Sequence, residues 1–505
     1  MLTGSGKKIG SSVAQHIFAK KINDDLLVEI FDFCRPDNIS PSTYPRNWWY
    51  ALAHVCQRWR RVLFSTPTRL GITLVCNSRT PVADLLADSP ALPLIVYWGN
   101  PGTLDTEESV EKALLALAHR DRVRRMTLHV SESSMRRAIS SMNGSFPMLE
   151  TLQLYCSPEK GNLLNSNTKL PRAFHAPNLR HLQLSDLKFL LPLKSTQLFD
   201  GVADRPGPGP GPSSSIVSFS VGEITTKPAE LMACLALMPH LKVLKIGFLF
   251  SIPSEPTELM EQDLCADSQK ESAPLSLADL EEFEYQGTFE YLEALAAQLS
   301  APFLKKLSIT ITNELESANI NDTFKYLSRL ISGAAAFAFP FARVRFKDGL
   351  SIVMDHDELW TGRGAFELRF SNRMYHFYGD MEHVAEICRV LAPMPSTVQS
   401  LLLEDGHRNR WAEEPERDGW HELLRVFDNV KTLRVAGRYV EELDKALKPL
   451  PSDSEGSQRP PLLPLLQEIV RYGPKHEFAA FVQAREVAGS PVRIVSGPRN
   501  RLTLF

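Results

Sequence analysis

The chain has 505 residues, 43% hydrophobic and 23% charged, a composition that builds a sizeable core and excludes disorder throughout. Lys+Arg is 56 against Asp+Glu 59, a formal net charge of -3, so the basic footprint of a nucleic-acid-binding domain is absent. Seven widely spaced cysteines without a C-x-x-C pair argue against a disulfide framework or a paired-thiolate zinc site, and predict reduced, mostly buried thiols in the cytoplasm and/or nucleus.

Residues 1–21 have no apolar core of signal-peptide length and read as a flexible N-terminus. Within them, Gly4-Ser5-Gly6-Lys7-Lys8 lacks the leading glycine and the trailing Ser/Thr of a phosphate loop. Asn23-Asp24-Asp25 then predicts a helix start, a capping side chain followed by carboxylates at the positive end of the helix dipole. Leu26, Leu27, Ile30 and Phe31 give that helix one apolar face, and Pro36-Asp37 ends it. A second helix is predicted from Asn47, with Trp48, Leu52, Val55, Trp59 and Val62 on one side and Gln57, Arg58, Arg60 and Arg61 on the other. Two such helices are too few for an independent core of much stability, so their apolar stripes pack on the rest of the chain or dock onto a partner.

The stretch Ile22 to Arg61 resembles an F-box of the kind common in fungal (basidiomycete-type) F-box proteins. Ile22-Asn23, Asp25, Leu26-Leu27 and Ile30-Phe31 correspond to its opening, and Val55-Cys56-Gln57-Arg58-Trp59-Arg60 to its closing Val-Cys-x-x-Trp-Arg. Phe64-Ser65-Thr66-Pro67 with Arg69-Leu70 continues the likeness. Asn23 stands where that family has proline, and the Pro36–Tyr50 connection is longer than the short consensus. The resemblance implies docking on a Skp-family adaptor and, through it, on the cullin and RING subunits of an SCF-type ubiquitin ligase. The adaptor-binding residues it implies are Ile22, Leu26, Leu27, Ile30, Phe31, Val55 and Trp59.

The remainder carries a recurring h-x-x-h-x-h unit, whose last three positions alternate as a short strand does. It occurs at Val123/Met126/Leu128, Leu149/Leu152/Leu154, Leu179/Leu182/Leu184, Ile216/Phe219/Val221, Leu241/Leu244/Ile246 and Leu280/Phe283/Tyr285. It continues at Leu304/Leu307/Ile309, Phe341/Val344/Phe346, Ala365/Leu368/Phe370, Val398/Leu401/Leu403, Val430/Leu433/Val435 and Leu466/Ile469/Arg471. Earlier candidates are Leu70 to Val75 and Leu92 to Tyr97. Pro147, Pro177, Pro239, Pro302 and Pro464 each stand two residues before a unit, where proline stops a helix and favours extended geometry. Helices are predicted between units at Glu107 to His119, Pro228 to Leu237, Phe289 to Leu299 and Met381 to Leu391. This order resembles the leucine-rich repeat.

The expected fold is α/β: a small helical F-box at 22–66, then a leucine-rich-repeat-like solenoid at 67–475 with a curved, mainly parallel sheet. A C-terminal cap or tail follows at 476–505. Three stretches, 205–215, 251–274 and 451–461, are rich in Pro, Gly, Ser or acidic residues and read as inserted loops. No run reaches the ~18 apolar residues of a membrane span. Asp355-His356-Asp357-Glu358 reads as a surface turn rather than a metal site, because consecutive residues seldom converge on one centre. Gly406 to Trp420 reads as a long polar loop. G-x-S-x-G and H-E-x-x-H are both missing.

The expected function is therefore substrate recruitment without enzymatic activity, cofactor or metal. The F-box docks on the adaptor, and the repeat array binds an unidentified target protein, with neither nucleic acid nor membrane as partner. Gln153, Gln183, Lys245 and Arg434, lying between buried strand positions, are the candidate target-binding residues. The alternative is a non-degradative protein-interaction scaffold with no ligase role.

Overall fold

The computed structural model describes residues 22–34, 48–65, 70–77, 79–88, 91–99, 105–157, 170–171, 173–185, 215–222, 227–247, 274–312, 327, 330, 338–346, 349–357, 366–371, 381–391, 394–405, 417–437, 439–448, 462–472 and 478–497. The Gly4–Lys8 motif, most of the Pro36–Tyr50 connection, Cys265 and nearly all of the three inserted loops lie outside them. The chain divides into two compact units, Met1–Ser215 and Ile216–Phe505.

The first unit begins with three helices, α1 (Asp24–Phe33), α2 (Trp48–Ala53) and α3 (Gln57–Ser65). It continues as β1 (Ile72–Cys76), α4 (Val82–Asp88), β2 (Leu94–Trp98), α5 (Glu107–Ala118), β3 (Val123–Ser131), α6 (Glu132–Ser141), β4 (Thr151–Ser157) and β5 (His181–Ser185). The five strands pair in chain order, all parallel.

The second unit runs β6 (Ser218–Val221), α7 (Pro228–Leu235), β7 (Val243–Gly247), β8 (Leu275–Ser276), β9 (Glu282–Gly287), α8 (Phe289–Gln298), β10 (Leu299–Ser300) and β11 (Lys306–Ile311). Leu327 and Leu330 are helical and buried, and three strands come next: β12 (Phe341–Phe346), β13 (Gly349–Asp355) and β14 (Phe366–Ser371). The unit ends with α9 (Met381–Val390), β15 (Ser400–Asp405), α10 (Arg417–Val426), β16 (Thr432–Ala436), α11 (Tyr439–Leu447), β17 (Glu468–Tyr472), α12 (Ala479–Val487) and β18 (Arg493–Ser496). Its sheet order is β6-β7-β9-β11-β14-β13-β12-β15-β16-β17-β18. Every pair whose register is defined is parallel except those of β13, which is antiparallel to both β12 and β14. β8 and β10 form a separate two-stranded pair.

Alternation explains the core. In β3, β4, β5, β7, β9 and β11 the repeat positions are buried, from Met126 and Leu128 to Leu307 and Ile309. The four predicted inter-strand helices are α5, α7, α8 and α9, and Leu292, Leu295, Ala296 and Leu299 share the buried face of α8 and its end.

The units with proline two residues before them open with a tight turn that closes on the first hydrophobic residue. The N–H of Leu149 donates to Phe146 O, Leu179 to Ala176, Leu241 to Met238, Leu304 to Ala301 and Leu466 to Leu463. Pro147, Pro177, Pro239, Pro302 and Pro464 stand second in these turns, where a fixed φ is pre-set for the turn and no N–H is needed. The residue before each proline is itself buried. The full pattern is therefore h-P-x-h-x-x-h-x-h, one hydrophobic position longer than the unit read from sequence.

Several expectations need correction. The helix predicted from Asn47 through Val62 is two helices, interrupted at His54-Val55-Cys56. β13 interrupts the parallel array and was not anticipated. Beside it the register of two units shifts by two residues. Ala342 and Val344, not Val344 and Phe346, pair with Leu401 and Leu403; Phe366 and Leu368 pair with Leu307 and Ile309. A shift of two keeps the same residues facing the core, so periodicity alone does not fix it. In the first two strands the most deeply buried positions are Ile72, Leu74 and Cys76, and Leu94, Val96 and Trp98, with Thr73 and Tyr97 buried from the other face. β3 carries one extra residue opposite Leu94/Ile95, a bulge that creates the two-residue lead-in seen in later units.

Candidate partner-docking site

The N-terminal helices are built around a small core of their own. Asn23 caps α1, its Oδ1 accepting from the N–H of Leu26 at 2.8 Å, and Asp24 and Asp25 fill the first turn. Leu27 and Phe31 face inward and are buried. The Phe31 ring meets Trp59 of α3 edge-on, with centroids 5.2 Å apart. Val62 and Leu63 are buried too.

The break between α2 and α3 is produced by Val-Cys-x-x-Trp. Cys56 precedes α3, and its Sγ accepts from the backbone N–H of Trp59 at 3.5 Å, the job a Ser or Asp side chain does at a helix start. Arg60 donates Nε to Ala53 O at 3.0 Å, occupying a carbonyl at the end of α2. Arg58 donates Nε and Nη2 to Asp24 Oδ1 at 2.9 and 2.7 Å, and Nη2 to Ile22 O at 2.5 Å. Arg58 and Arg60 are thus fastenings within the module rather than a solvated face. Trp49 anchors α2: it is buried, its ring packs on Phe64, and its Nε1 donates to Gly71 O at 3.0 Å.

Among the exposed charges Asp24, Asp25, Glu29 and Asp32, several large apolar side chains remain outside. Leu26 is 49% exposed, Ile30 37%, Phe33 93% and Val55 54%. Leu26, Ile30 and Phe33 fall at i, i+4 and i+7, one stripe along α1. Ile22 is half-buried. Of the expected adaptor-binding residues, Leu26, Ile30 and Val55 are accessible. Leu27 and Phe31 are not, because one turn of helix cannot aim Leu26 and Leu27 the same way, and the inner pair is used to hold α1 on α3. Trp59 is half-buried against Phe31, and its Nε1 is buried without a hydrogen-bond partner. Phe33 was missed, although it continues the Leu26/Ile30 spacing.

The candidate target-binding residues lie on the sheet faces as expected, but none stands alone. In the first unit, Thr127 Oγ1 donates to Gln153 Oε1 at 2.9 Å and Gln153 Nε2 to Gln183 Oε1 at 3.0 Å, a polar ladder across β3, β4 and β5. His129 and Tyr155 stack beside it, centroids 3.8 Å apart and planes 7° from parallel. In the second unit, Lys245 pairs with Glu284 at 2.6 Å, and Arg434 is half-buried on β16.

Two further readings change. Asp355 is fully buried at the end of β13, not in a surface turn, and its Oδ1 accepts from the N–H of His356 at 2.7 Å. Trp420 lies in α10, buried against Tyr439, rather than in a loop. Among the described residues no cluster of His, Cys, Asp and Glu is arranged to hold a metal ion. Burial pushes the thiols of Cys76, Cys234 and Cys388 up to about 12, so they remain protonated and non-nucleophilic at neutral pH. Among the described residues no helix is long and apolar enough to cross a membrane.

A scan against protein-family models finds no match to this chain, and a search of curated proteins finds none.

Proposed function

We propose that the chain is the substrate-recruiting F-box subunit of an SCF-type cullin–RING ubiquitin ligase. In this reading α1 to α3 dock on a Skp-family adaptor, and the strand–turn repeat, a leucine-rich-repeat-like solenoid, holds the target. The observation that carries it is the stripe Leu26–Ile30–Phe33, with Val55, left exposed on a helical module that already has a core. Burying a large aliphatic or aromatic side chain gains about 1.5–3 kcal/mol, so the module keeps a substantial driving force in reserve for a partner. Such a set of outward anchors suits a helix-in-groove contact.

The receptor does no chemistry in this reading. It raises the effective concentration of target lysines near a charged ubiquitin-conjugating enzyme.

Co-expression with a Skp-family adaptor tests the docking half. The full chain co-purifies with the adaptor, and Ile30→Asp abolishes the capture while the protein stays folded. A wild-type chain that fails to co-purify overturns the proposal.

A further inference from the structure

The charges on the second face of the sheet in the Ile216–Phe505 unit change character along it. On β7, β9 and β11 they form local pairs, Lys245 with Glu284 and Lys306 with Glu282, and just before these strands Lys242 and Lys305 pair with Glu281. From β14 to β16 this face carries Arg343, Arg345, Arg369 and Arg434 against the carboxylates Glu367, Glu404 and Asp355. The register places Arg345 beside Ser351 and Ser351 beside Arg369. It likewise places Arg343 beside Leu402 and Leu402 beside Arg434.

The carboxylates of this region sit lower. Glu404 is 7% exposed and Asp355 is fully buried. Arg343 donates Nε and Nη2 to Glu404 Oε2 at 2.9 and 2.5 Å. Arg345 lies 3.7 Å from the same oxygen, too far for a hydrogen bond, and its Nε–H is buried without an acceptor. One carboxylate therefore serves two guanidinium groups. Arg369 is more than half exposed and donates Nε to Glu367 Oε1 at 2.5 Å along the same strand, which leaves its other guanidinium edge to solvent.

We infer that this face binds an extended, carboxylate-bearing peptide segment lying across the strands. The spacing selects the occupant. The arginines occupy alternate strands, β14, β12 and β16, so neighbouring stations are about 10 Å apart at ordinary strand spacing. A peptide in the extended polyproline II conformation rises about 9 Å per three-residue turn and brings every third side chain to one face, so glutamates or aspartates at every third position meet successive stations. A phosphate group would call for converging guanidinium groups, whereas these are spread. Glu367 and Glu404 among them, and a chain of net charge -3, disfavour a nucleic-acid backbone. The inference names the chemistry of the target surface within the function proposed above, but it is measured without adaptor, so loss of either leaves the other standing.

The test is fluorescence anisotropy on the full chain at low salt. The probe is a labelled peptide with glutamate at every third position and glycine or serine between. Saturable binding is expected, weakened roughly three- to fivefold by Arg369→Gln and similarly by Arg345→Gln, and unchanged by Lys242→Gln just before β7. A peptide of the same composition with its glutamates contiguous binds more weakly. Thermal unfolding of each variant confirms that the sheet is intact, and Arg369→Gln, at an exposed position, leaves it so. Failure of the spaced peptide to bind overturns the inference. So does an equal loss with Lys242→Gln, equal binding of the contiguous peptide, or tighter binding of a single-stranded DNA of equal charge.

Discussion

Arg58 and Asp24 hold the two ends of the N-terminal module together. The guanidinium donates to Asp24 Oδ1 and to the carbonyl of Ile22, across 34 and 36 residues of sequence. This clamp fixes where α1 begins relative to α3, and so fixes Leu26 and Ile30 relative to Val55. Where the F-box pattern has proline, this chain has a capped start, Asn23, fastened from outside by an arginine.

Replacing Arg58 with alanine removes these three bonds. The expected cost is about 1–2 kcal/mol, since bonds to a charged donor at a partly exposed site lie in that range. Adaptor capture weakens with it, while the Ala278→Pro exchange described next leaves capture unchanged. Chemical denaturation and pull-down on the same variants check this. Undiminished capture by Arg58→Ala would show that the clamp does not position the anchors.

The turn prolines predict their own substitutions. Leu277-Ala278-Asp279-Leu280 makes the same turn, Leu280 N–H donating to Leu277 O at 3.2 Å, without a proline. Ala278 is exposed and stands where the other turns carry proline. Ala278→Pro should stabilise by about 0.4–1 kcal/mol, and Pro239→Ala should destabilise by a similar amount, both chiefly through the unfolded chain. Denaturant midpoints of the two variants decide it.

Much of the array was legible because alternation and turn chemistry are local. Leu149, Leu152 and Leu154 declare a strand, and Pro147 declares the turn before it. The residue three before each unit, such as Phe146 or Met238, carried the same signal and was not used. What sequence could not show was non-local. β13 pairs antiparallel between β12 and β14, and nothing in Gly349–Asp355 distinguishes that partner choice from a parallel one. On α1, the apolar face was plain, but its division into inward Leu27 and Phe31 and outward Leu26 and Ile30 is set by α3. Arg343, Arg345 and Arg369 come onto one face only through strand register, a non-local pairing that local pattern does not carry.

Acid should weaken the first unit. Burial lowers the pKa of His129 below the ordinary 6.5. Burial, with Arg125 and Arg180 nearby and Glu150 opposing, lowers that of His181. Between the folded and unfolded values the unfolded chain binds more protons, so stability is retained above about pH 6.5 and falls as pH drops through that value toward the folded pKa. His129→Gln should flatten part of this decline. Unfolding midpoints measured from pH 7.5 to 5.5 check it; an unchanged slope would exclude His129 as a contributor.

Thiol reactivity should be sharply graded. Cys34 is exposed, whereas Cys76, Cys156, Cys234 and Cys388 are buried. In native protein at pH 8, Cys34 should react with a disulfide reagent far faster than Cys76, Cys234 and Cys388, which should react only on unfolding. Mass mapping of the labelled sites tests this, and early labelling of Cys388 would contradict the buried position of α9.

The central claim is that the outward stripe of α1 is a docking surface while its inward neighbours are structural. Titration of the purified full chain with a Skp-family adaptor, by calorimetry, tests this most directly. Wild type should bind saturably, and Ile30→Asp should abolish binding while its thermal unfolding midpoint stays within a degree or two of wild type. Equal binding by wild type and Ile30→Asp, or no binding by wild type, would contradict it.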